Sequence, residues 1–451
     1  MKKVLIISYY FPPSGGPGVQ RVLKFVKYLP EFGWQPVVLT VKDAEFPARD
    51  ESLLSEIPPD ISVFRTRIFE PYKFYRSLTG RNEKTAIDVD NINKGRKTSL
   101  SEKFAEFIRA TVFIPDARRG WLKYAFEEGK RILNSEQPDV IFSSSPPYTC
   151  ALIAMKLKKY ALKHQNKNIP WVSDFRDAWT GYMTSPDRWL IPSSIDRWYE
   201  RNTLQMSDAL SIVAKGIKDD FDTKYPDISV LKEYYLIRNG FDPDDFAELK
   251  ANKDKNEKFT VVYTGSMYGK RNPYFLLDTV SGLVSSGKVN QEKLKFIFVG
   301  RCGAEILDYI SRSPINNSIE LVPYVTHSQS ISYLLRADAM LLLIDEDKYS
   351  KMILSGKVFE YLGASQLSHK PIIAIAPEGE AAELIRETSS GDIIHNNDTK
   401  KLSEIFLKYY NSFFENINTS SLNSDAVKQY DRKLLTKKLA EVFNHILENK
   451  K

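Results

Sequence analysis

The chain has 451 residues, of which 42% are hydrophobic and 27% charged, and its formal net charge is +7 at pH 7. This length exceeds a single typical core, so two domains are expected, and the composition is that of a soluble globular protein, which excludes a disordered or fibrous one. The mild positive charge suits anionic substrates or an anionic membrane surface, and the lack of a long basic block in the sequence argues against nucleic acid.

The two cysteines, Cys150 and Cys302, match no disulfide or metal spacing, which indicates a reducing cytoplasm. The apolar run after Lys3 is short and reaches Pro12 without a small-residue cleavage site, so it is typical of a buried strand and not of a signal peptide. No run approaches the roughly 20 apolar residues that a membrane-spanning helix needs. We expect a cytoplasmic protein, with any membrane contact peripheral to the inner face.

Apolar runs of strand length alternate with helical spacing in the N-terminal half and predict a doubly wound parallel α/β sheet. Strands are predicted at 4–8, 36–41, 61–66, 139–143, 170–173, 209–213 and 234–237. A helix is predicted at 19–32, a mobile polar loop at 69–97 and a further helix at 99–114.

Gly15 and Gly16 lie in the loop between the first strand and its helix. Free backbone N–H groups at a helix start attract anions, so this loop is a candidate phosphate or ligand cradle, with a plain tight turn as the alternative. It fails as a dinucleotide fingerprint because no third glycine follows at the required spacing. This failure argues against a dehydrogenase.

The segment 118–123, Arg-Arg-Gly-Trp-Leu-Lys, is basic and carries an aromatic residue. It predicts a helix packed on the sheet, with docking to an anionic membrane as the alternative.

The fifth predicted strand ends in Asp174, Arg176 and Asp177. Charged groups concentrated after a buried strand indicate a catalytic site, and a structural Arg–Asp pair is the alternative.

The lysine-rich segment 249–258 lacks periodicity and is predicted to be the linker between an N-terminal domain, 1–248, and a C-terminal domain, 259–425. Strands of the second domain are predicted at 259–264, 295–299, 319–322, 340–344, 371–375 and 392–394. Helical patterns cover 401–414 and 424–449, and we expect the segment 426–451 to cross back to the first domain. Two sheets that face each other across the linker would border a cleft.

The stretch Ser355-Gly356-Lys357-Val358-Phe359-Glu360 follows the apolar run 340–344 and is predicted to open a helix. A cation at Lys357 is unfavourable there, because the helix dipole is positive at that end, unless an anion lies between them. We therefore expect Lys357 to bind phosphate and Glu360 to accept from sugar hydroxyls, with a solvated helix face as the alternative. A second loop with glycine and cations, including Ser266, Lys270 and Arg271, follows the predicted strand 259–264.

Five motifs occur in a fixed order: Ser14-Gly15-Gly16, Asn239-Gly240-Phe241-Asp242, Gly265-Ser266 through Lys270-Arg271, Ser355 to Tyr361, and Glu378-Gly379-Glu380-Ala381. Together they resemble the retaining glycosyltransferases of the GT-B fold, in particular glycosyltransferase family four. The resemblance spans nearly the whole chain and is strongest in its C-terminal half.

This resemblance implies two Rossmann-like domains, a nucleoside-diphosphate sugar, UDP- or GDP-linked, held mainly by the C-terminal domain, and a saccharide or lipid-linked acceptor held mainly by the N-terminal one. It implies a role in surface polysaccharide or glycan assembly, with no cofactor and no metal, since cations and helix N-termini neutralise the leaving diphosphate. The groups expected to do so, and to bind the donor diphosphate and sugar, are Gly15, Gly16, Ser266, Lys270, Arg271, Ser355, Gly356 and Lys357. By family position, Glu360 would bind the ribose. The base would be bordered by Gly300, Arg301, Tyr324 and Val325.

The sequence departs from the family pattern at two places. The family's paired glutamates are eight positions apart, and Met352 stands where the first, sugar-contacting glutamate is expected. Many members also carry a histidine before the aspartate at the end of the fifth strand, where this chain has Arg176-Asp177. Arg176 is therefore expected to be an electrostatic stabiliser, with Asp174 or Asp177 orienting the acceptor hydroxyl.

Two other functions are compatible with these residues. A sugar-nucleotide epimerase of the same fold would need acid and base groups on both sides of the sugar ring, which the carboxylates at 174–177 and 378–380 could supply. A non-catalytic sugar-nucleotide or glycan-binding protein would fit the missing first glutamate.

Overall fold

The computed structural model describes residues 1–42, 44, 46, 48–69, 110–111, 113–181, 185–247, 249, 256–344, 354 and 356–449. Outside this range lie most of the predicted loop at 69–97, most of the predicted helix at 99–114, most of the linker 249–258, and both Met352 and Ser355. The chain forms two compact units, Met1–Arg238 with Lys433–Lys451, and Asn239–Arg432.

The first unit is built on a seven-stranded parallel sheet with the order β3-β2-β1-β4-β5-β6-β7. The strands are β1 (Lys2–Ile7), β2 (Trp34–Val41), β3 (Ser62–Thr66), β4 (Val140–Ser145), β5 (Trp171–Phe175), β6 (Ala209–Ile212) and β7 (Tyr234–Leu236). Around them lie α1 (Pro17–Tyr28), α2 (Leu122–Ser135), α3 (Thr149–Gln165), α4 (Leu190–Met206), α5 (Lys215–Lys224) and α6 (Pro226–Ser229).

The central strand β1 is apolar on both faces because both of its faces are covered. Along β1, Leu5 and Ile7 belong to one buried cluster, while Val4 and Ile6 belong to another. Since successive strand residues point to opposite faces, this alternation shows that each face packs into a core of its own.

The second unit has a six-stranded parallel sheet with the order β10-β9-β8-β11-β12-β13. The strands are β8 (Phe259–Thr264), β9 (Leu294–Val299), β10 (Ile319–Val322), β11 (Ala339–Leu343), β12 (Ile372–Ile375) and β13 (Gly391–Ile394). The helices are α7 (Asp244–Ala247), α8 (Tyr274–Ser285), α9 (Ala304–Arg312), α10 (His327–Leu335), α11 (Gly356–Ser368), α12 (Glu380–Thr388), α13 (Thr399–Glu415) and α14 (Ser424–Lys428).

A last helix, α15 (Arg432–Glu448), returns the chain to the first unit. Its apolar side chains Leu435, Leu439 and Phe443 belong to the same buried cluster as Val4 of β1. The ring of Phe443 meets the rings of Trp34 and Phe142 edge-on, at centroid distances of 5.1 and 5.8 Å. The core under one face of the first sheet is therefore completed by residues from beyond the second unit.

Each sheet changes winding direction once. In the first unit the chain moves from β1 outward to β3 and then restarts at β4 on the other side of β1, and in the second unit it restarts at β11 beside β8. Open α/β sheets bind ligands outside the carboxyl ends of the strands at such a switch point. A ligand-binding site is therefore expected beside the residues that follow β1, β4, β8 and β11.

The α/β class and all predicted strands are confirmed, with strand ends that differ by one or two residues. The interpretation of 118–123 as a segment packed on the sheet is also confirmed: Trp121 is fully buried and donates to Thr66 Oγ1 at 2.7 Å, and Leu122 is buried. Neither of these apolar side chains is exposed for membrane docking. Within the described part of the chain, none of the helices has the length and apolar character required to traverse a bilayer.

Candidate functional site

In the second unit, Lys357 and Gly265 lie together at the switch point. Lys357 is the second residue of α11, and its Nζ donates to Tyr263 Oη at 2.9 Å. Gly265 directly follows β8 with φ +117°, and a Cβ atom there would lie 2.1 Å from Lys357 Nζ. Only glycine accepts this φ and leaves this space, so the ammonium lies across the end of β8.

Gly300, at the end of β9, is a second glycine with a positive φ and no space for a Cβ atom. It has φ +131°, and a Cβ atom there would lie 2.4 Å from the carbonyl oxygen of Gly265. The Met267 N–H donates to the Arg301 carbonyl at 2.8 Å, which joins the two loops. The predicted residues Gly265, Gly300 and Arg301 are therefore brought together at neighbouring strand ends.

The loop after β8 also holds two further cations. Lys270 is exposed, and the Arg271 guanidinium lies 5.7 Å from the centre of the Tyr268 ring. The Ser266 carbonyl accepts from Tyr263 Oη at 2.9 Å, so the tyrosine that receives Lys357 also holds this loop. An anion at the switch point would meet positive charge from the loop as well as from α11.

Two flat side chains border the ends of β9 and β10. The guanidinium of Arg301 lies 5.8 Å from the centre of the Tyr324 ring, and Tyr324 is 43% exposed. Val325 is half-buried and packs against the core. Exposed Arg and Tyr planes of this kind can stack with a planar ligand.

Glu360 lies one turn along α11 from Lys357 and faces a histidine that the sequence reasoning missed. His327 Nδ1 lies 3.7 Å from Glu360 Oε1, and His327 Nε2 lies 3.1 Å from Asp245 Oδ2. Burial is the largest influence on Glu360 and raises the pKa of its carboxyl, against the lowering effect of His327. The three side chains come from α11, α10 and α7.

In the acidic loop that follows β12, Glu378 is paired with neighbouring side chains and Glu380 is buried. Glu378 pairs with Arg386 at 2.5 Å and with His395 at 3.2 Å, and the hydrogen bond from Arg386 is the main reason that the pKa of Glu378 is lowered. Glu380 is buried in the first turn of α12. A carboxyl with a lowered pKa is a poor proton donor near neutral pH.

In the first unit, the glycine loop after β1 joins the segment before β3. The Gly15 N–H donates to the Ala48 carbonyl at 2.9 Å, and Gly16 caps α1 with φ +92°. A Cβ atom at Gly16 would have no neighbour within 4 Å. The loop therefore needs glycine at 16 for its backbone conformation and leaves open space beside it.

Arg176 directly follows β5 and is joined by hydrogen bonds to the start of α1 and to the loop that follows β4. Its Nη1 donates to the Gly18 carbonyl at 2.7 Å, and its Nη2 donates to the Pro146 carbonyl. Its guanidinium lies 5.9 Å from the centre of the Tyr10 ring. Among the described residues, its buried Nε meets no hydrogen-bond acceptor. Arg176 is thus half-buried at the switch point of the first sheet, where it joins the start of α1 to the residues that follow β4 and β5.

Asp174 and Asp177 are placed differently. Asp174 is fully buried, and Arg21, also fully buried, donates to both of its oxygens at 2.7 and 3.0 Å. Ser144 and Ser211 add hydroxyl donors, each at 2.8 Å. A structural Arg–Asp pair is therefore present, but it uses Arg21 and not Arg176. Asp177 is half-buried two residues after β5 and is therefore the more accessible of the two carboxylates.

Asp116 is a second group that the sequence reasoning missed. Its carboxylate accepts from the Thr149 N–H at 2.9 Å and from Thr149 Oγ1 at 2.8 Å, at the start of α3. Burial raises the pKa of Asp116, and hydrogen bonds from Thr149 act against this rise. The sequence offered no signal, since Asp116 and Thr149 are far apart along the chain.

Comparison with known proteins identifies the fold. No family model and no curated protein matches the sequence. Among solved structures, a glycosyltransferase from Rickettsia africae is similar with TM-score 0.62 at 13% identity, covering 99% of each chain. Sucrose-phosphate synthase from Thermosynechococcus elongatus is similar with TM-score 0.62 at 12% identity, covering 100% of each chain. The Anabaena protein HepE, solved in complex with UDP-glucose, has TM-score 0.59 at 13% identity, covering 99% of this chain and 100% of its own. The predicted GT-B fold is confirmed.

Proposed function

We propose that this protein is a retaining glycosyltransferase of the family-four type, which moves a sugar from a UDP- or GDP-linked donor to a saccharide or lipid-linked saccharide. The observation that carries the proposal is Lys357, held against Gly265 at the switch point of the second sheet. A cation at a helix N-terminus is favourable when an anion occupies the space in front of both. The structural neighbours support the reaction class, since one is a glycosyltransferase, another is a sucrose-phosphate synthase and a third is bound to UDP-glucose.

The leaving group in this reaction is a nucleoside diphosphate. As the bond between the anomeric carbon and the phosphate oxygen breaks, negative charge grows on the diphosphate, and fixed positive groups lower the barrier by meeting it. We propose that Lys357, the N–H groups that begin α11, and the cations Lys270 and Arg271 supply this positive charge. In the proposed reaction these protein groups, together with Ser355 and Gly356, act without a metal ion.

The nucleoside is proposed to lie beyond the diphosphate, toward β9 and β10. Glu360 would accept from the ribose hydroxyls, and Arg301 with Tyr324 would border the base beside Gly300 and Val325. These assignments follow from the family resemblance, and the contacts at the ends of β9 and β10 support them.

The acceptor is proposed to bind at the switch point of the first sheet, beside the Gly15–Gly16 loop. Arg176 would supply positive charge there, and we propose that the half-buried Asp177 orients an acceptor hydroxyl. Asp174 supports this site indirectly, because its oxygens already accept from Arg21 and two serines. Any membrane contact by a lipid-linked acceptor is proposed to involve residues other than Trp121 and Leu122.

The epimerase alternative is less well supported. It needs a proton donor and a proton acceptor on opposite sides of the sugar ring. Of the carboxylates considered for that chemistry, Asp174 is fully buried against Arg21, and Glu378 is paired with Arg386.

Replacement of Lys357 tests the proposal. With a panel of UDP- and GDP-sugars, we expect slow release of UDP or GDP by the wild-type chain. We expect Lys357→Met to lower turnover about 10²- to 10³-fold, since removal of one fixed transition-state donor has that effect. Lys295→Met is the matched control, because Lys295 pairs with Glu320 at 2.7 Å near the amino end of β9, the opposite edge of the same sheet. Unchanged turnover in a folded Lys357→Met protein would refute the phosphate-binding role.

A further inference from the structure

His327 lies between two carboxylates in the second unit. Its Nε2 is 3.1 Å from Asp245 Oδ2 and its Nδ1 is 3.7 Å from Glu360 Oε1. The three side chains are only 12% to 21% exposed. His327 begins α10, where Thr326 and Gln329 form a capping box that fixes the first turn. The imidazole is therefore held by the helix start as well as by its two acidic neighbours.

The interaction of His327 with its two carboxylate neighbours depends on which of the three groups carry protons. An ionised carboxylate only accepts, whereas a neutral imidazole carries one N–H and one lone pair. If both carboxylates were ionised beside a neutral His327, one ring nitrogen would point its lone pair at a negative oxygen. The contact of the ring with both carboxylates is electrostatically favourable when His327 carries a proton on both nitrogens, and the repulsion is also relieved when Glu360 takes one of the two protons.

Other charges around Glu360 also act on the ionisation of its carboxyl. Asp245 adds negative charge, while His327, Lys357 and Arg432 add positive charge, and burial raises the pKa of the Glu360 carboxyl. Without His327 in its charged form, Glu360 would keep one positive partner on its own helix, Lys357. That ammonium is directed toward Tyr263 and the end of β8.

We propose that protonated His327 is a positioning residue that keeps Glu360 ionised and directed at the ribose hydroxyls, so that nucleotide affinity depends on a proton held by the His327–Glu360 pair. This inference rests on the proposed function and deepens it. Affinity falls at low pH when Glu360 takes up a proton and can no longer accept from both hydroxyls. It falls again at high pH when His327 loses its proton and the two carboxylates face each other across a neutral ring. The two midpoints belong to the coupled pair and not to either residue alone.

The test measures the affinity of the full chain for UDP and for GDP by calorimetry between pH 5.5 and 9. We expect a bell-shaped profile for the wild-type chain. The His327→Gln variant keeps a hydrogen-bonding side chain but cannot gain a charge, so it should bind about 10- to 100-fold more weakly at the optimum and lose the high-pH decline. His395→Gln is the matched control, since His395 is a half-exposed histidine of the same unit that pairs with Glu378, and its profile should match the wild type.

A second probe separates the ribose contact from a general effect on folding. The 2′,3′-dideoxy forms of UDP and GDP carry the same phosphates but offer Glu360 no hydroxyl. We expect wild type and His327→Gln to bind these dideoxy nucleotides equally and with the same pH dependence. Titration of the terminal phosphate of the nucleotide affects the pH profiles of wild type and variant equally, so it does not contribute to the difference between them.

The outcomes separate the two proposals. If UDP or GDP binds and His327→Gln shares the wild-type profile, or if the variant weakens the dideoxy nucleotides just as much, the role of His327 is overturned while the proposed function stands. If neither nucleotide binds the wild-type chain at millimolar concentration, the proposed function fails and the inference fails with it.

Discussion

Gly265 is the residue on which the position of Lys357 depends. Its φ of +117° excludes an ordinary side chain on conformational grounds, and the space that a Cβ would fill is already occupied by the lysine Nζ. The lysine end is flexible, so a side chain at 265 would displace it and leave the strand in place. The glycine therefore controls where a positive charge is held, in addition to how the chain turns.

Gly265→Ala is expected to abolish donor binding at a modest cost in stability. The backbone strain costs about 1 to 3 kcal/mol, while the displaced ammonium no longer reaches the diphosphate. Gly269→Ala is the control, because Gly269 lies in the same loop with φ +55° and open space around its Cβ position. That variant should lose about 1 kcal/mol of stability and keep its turnover. Thermal unfolding and UDP or GDP titration check both, and wild-type affinity in Gly265→Ala would contradict this account.

Some residues of the candidate site could be predicted from the sequence, and others could not. Lys357 was predicted because a cation at a helix start breaks a local electrostatic rule, which is visible in one stretch of sequence. Asp174 was predicted as a candidate for orienting the acceptor, but the structure turns it inward onto Arg21, more than a hundred residues away. His327 gave no signal at all, because its meaning comes from the meeting of α7, α10 and α11.

At the scale of elements, the prediction was most accurate for strands. The run 259–264 is rich in apolar and β-branched residues, and a strand occurs at those residues with every position buried. A buried parallel strand leaves this mark because both of its faces pack. The order of the strands in each sheet could not be predicted in this way. It depends on the side of β1 or β8 on which the chain restarts, and the local sequence does not determine that side.

The helix α15 is expected to be essential to the first unit. Phe443 is fully buried and packs edge-on against Trp34 and Phe142. Phe443→Ala should lower the free energy of unfolding of the first unit by about 3 to 5 kcal/mol, because the cavity cannot close between two fixed rings. Leu434→Ala, on the same helix but 45% exposed, should change it by less than about 0.5 kcal/mol. Urea denaturation followed by tryptophan fluorescence compares the two, and equal effects would argue against the packing described.

At the scale of the molecule, the two units should respond unequally to the donor. If UDP or GDP binds the second unit, ligand at about 100 times its dissociation constant stabilises the native form by about 2.7 kcal/mol. Hydrogen exchange should then slow mainly within Asn239–Arg432, and most at the strand ends near 264–271 and 299–303 and at the start of α11. Protection confined to the first unit would place the nucleotide in the other half of the chain and refute the assignment.

The return of α15 to the first unit also bears on the order in which the chain is made. A ribosome releases β1 to β7 first, but the helix that seals one face of their sheet is synthesised only after the whole of Asn239–Arg432. Domains tend to fold as units during synthesis. The second unit is one continuous segment, so it can complete its core before the first unit does. Until α15 is made, Trp34 and Phe142 of the first unit lack the packing of Phe443. Chains that end at residue 432 and are released from the ribosome should therefore present the first unit as the part that chaperones bind.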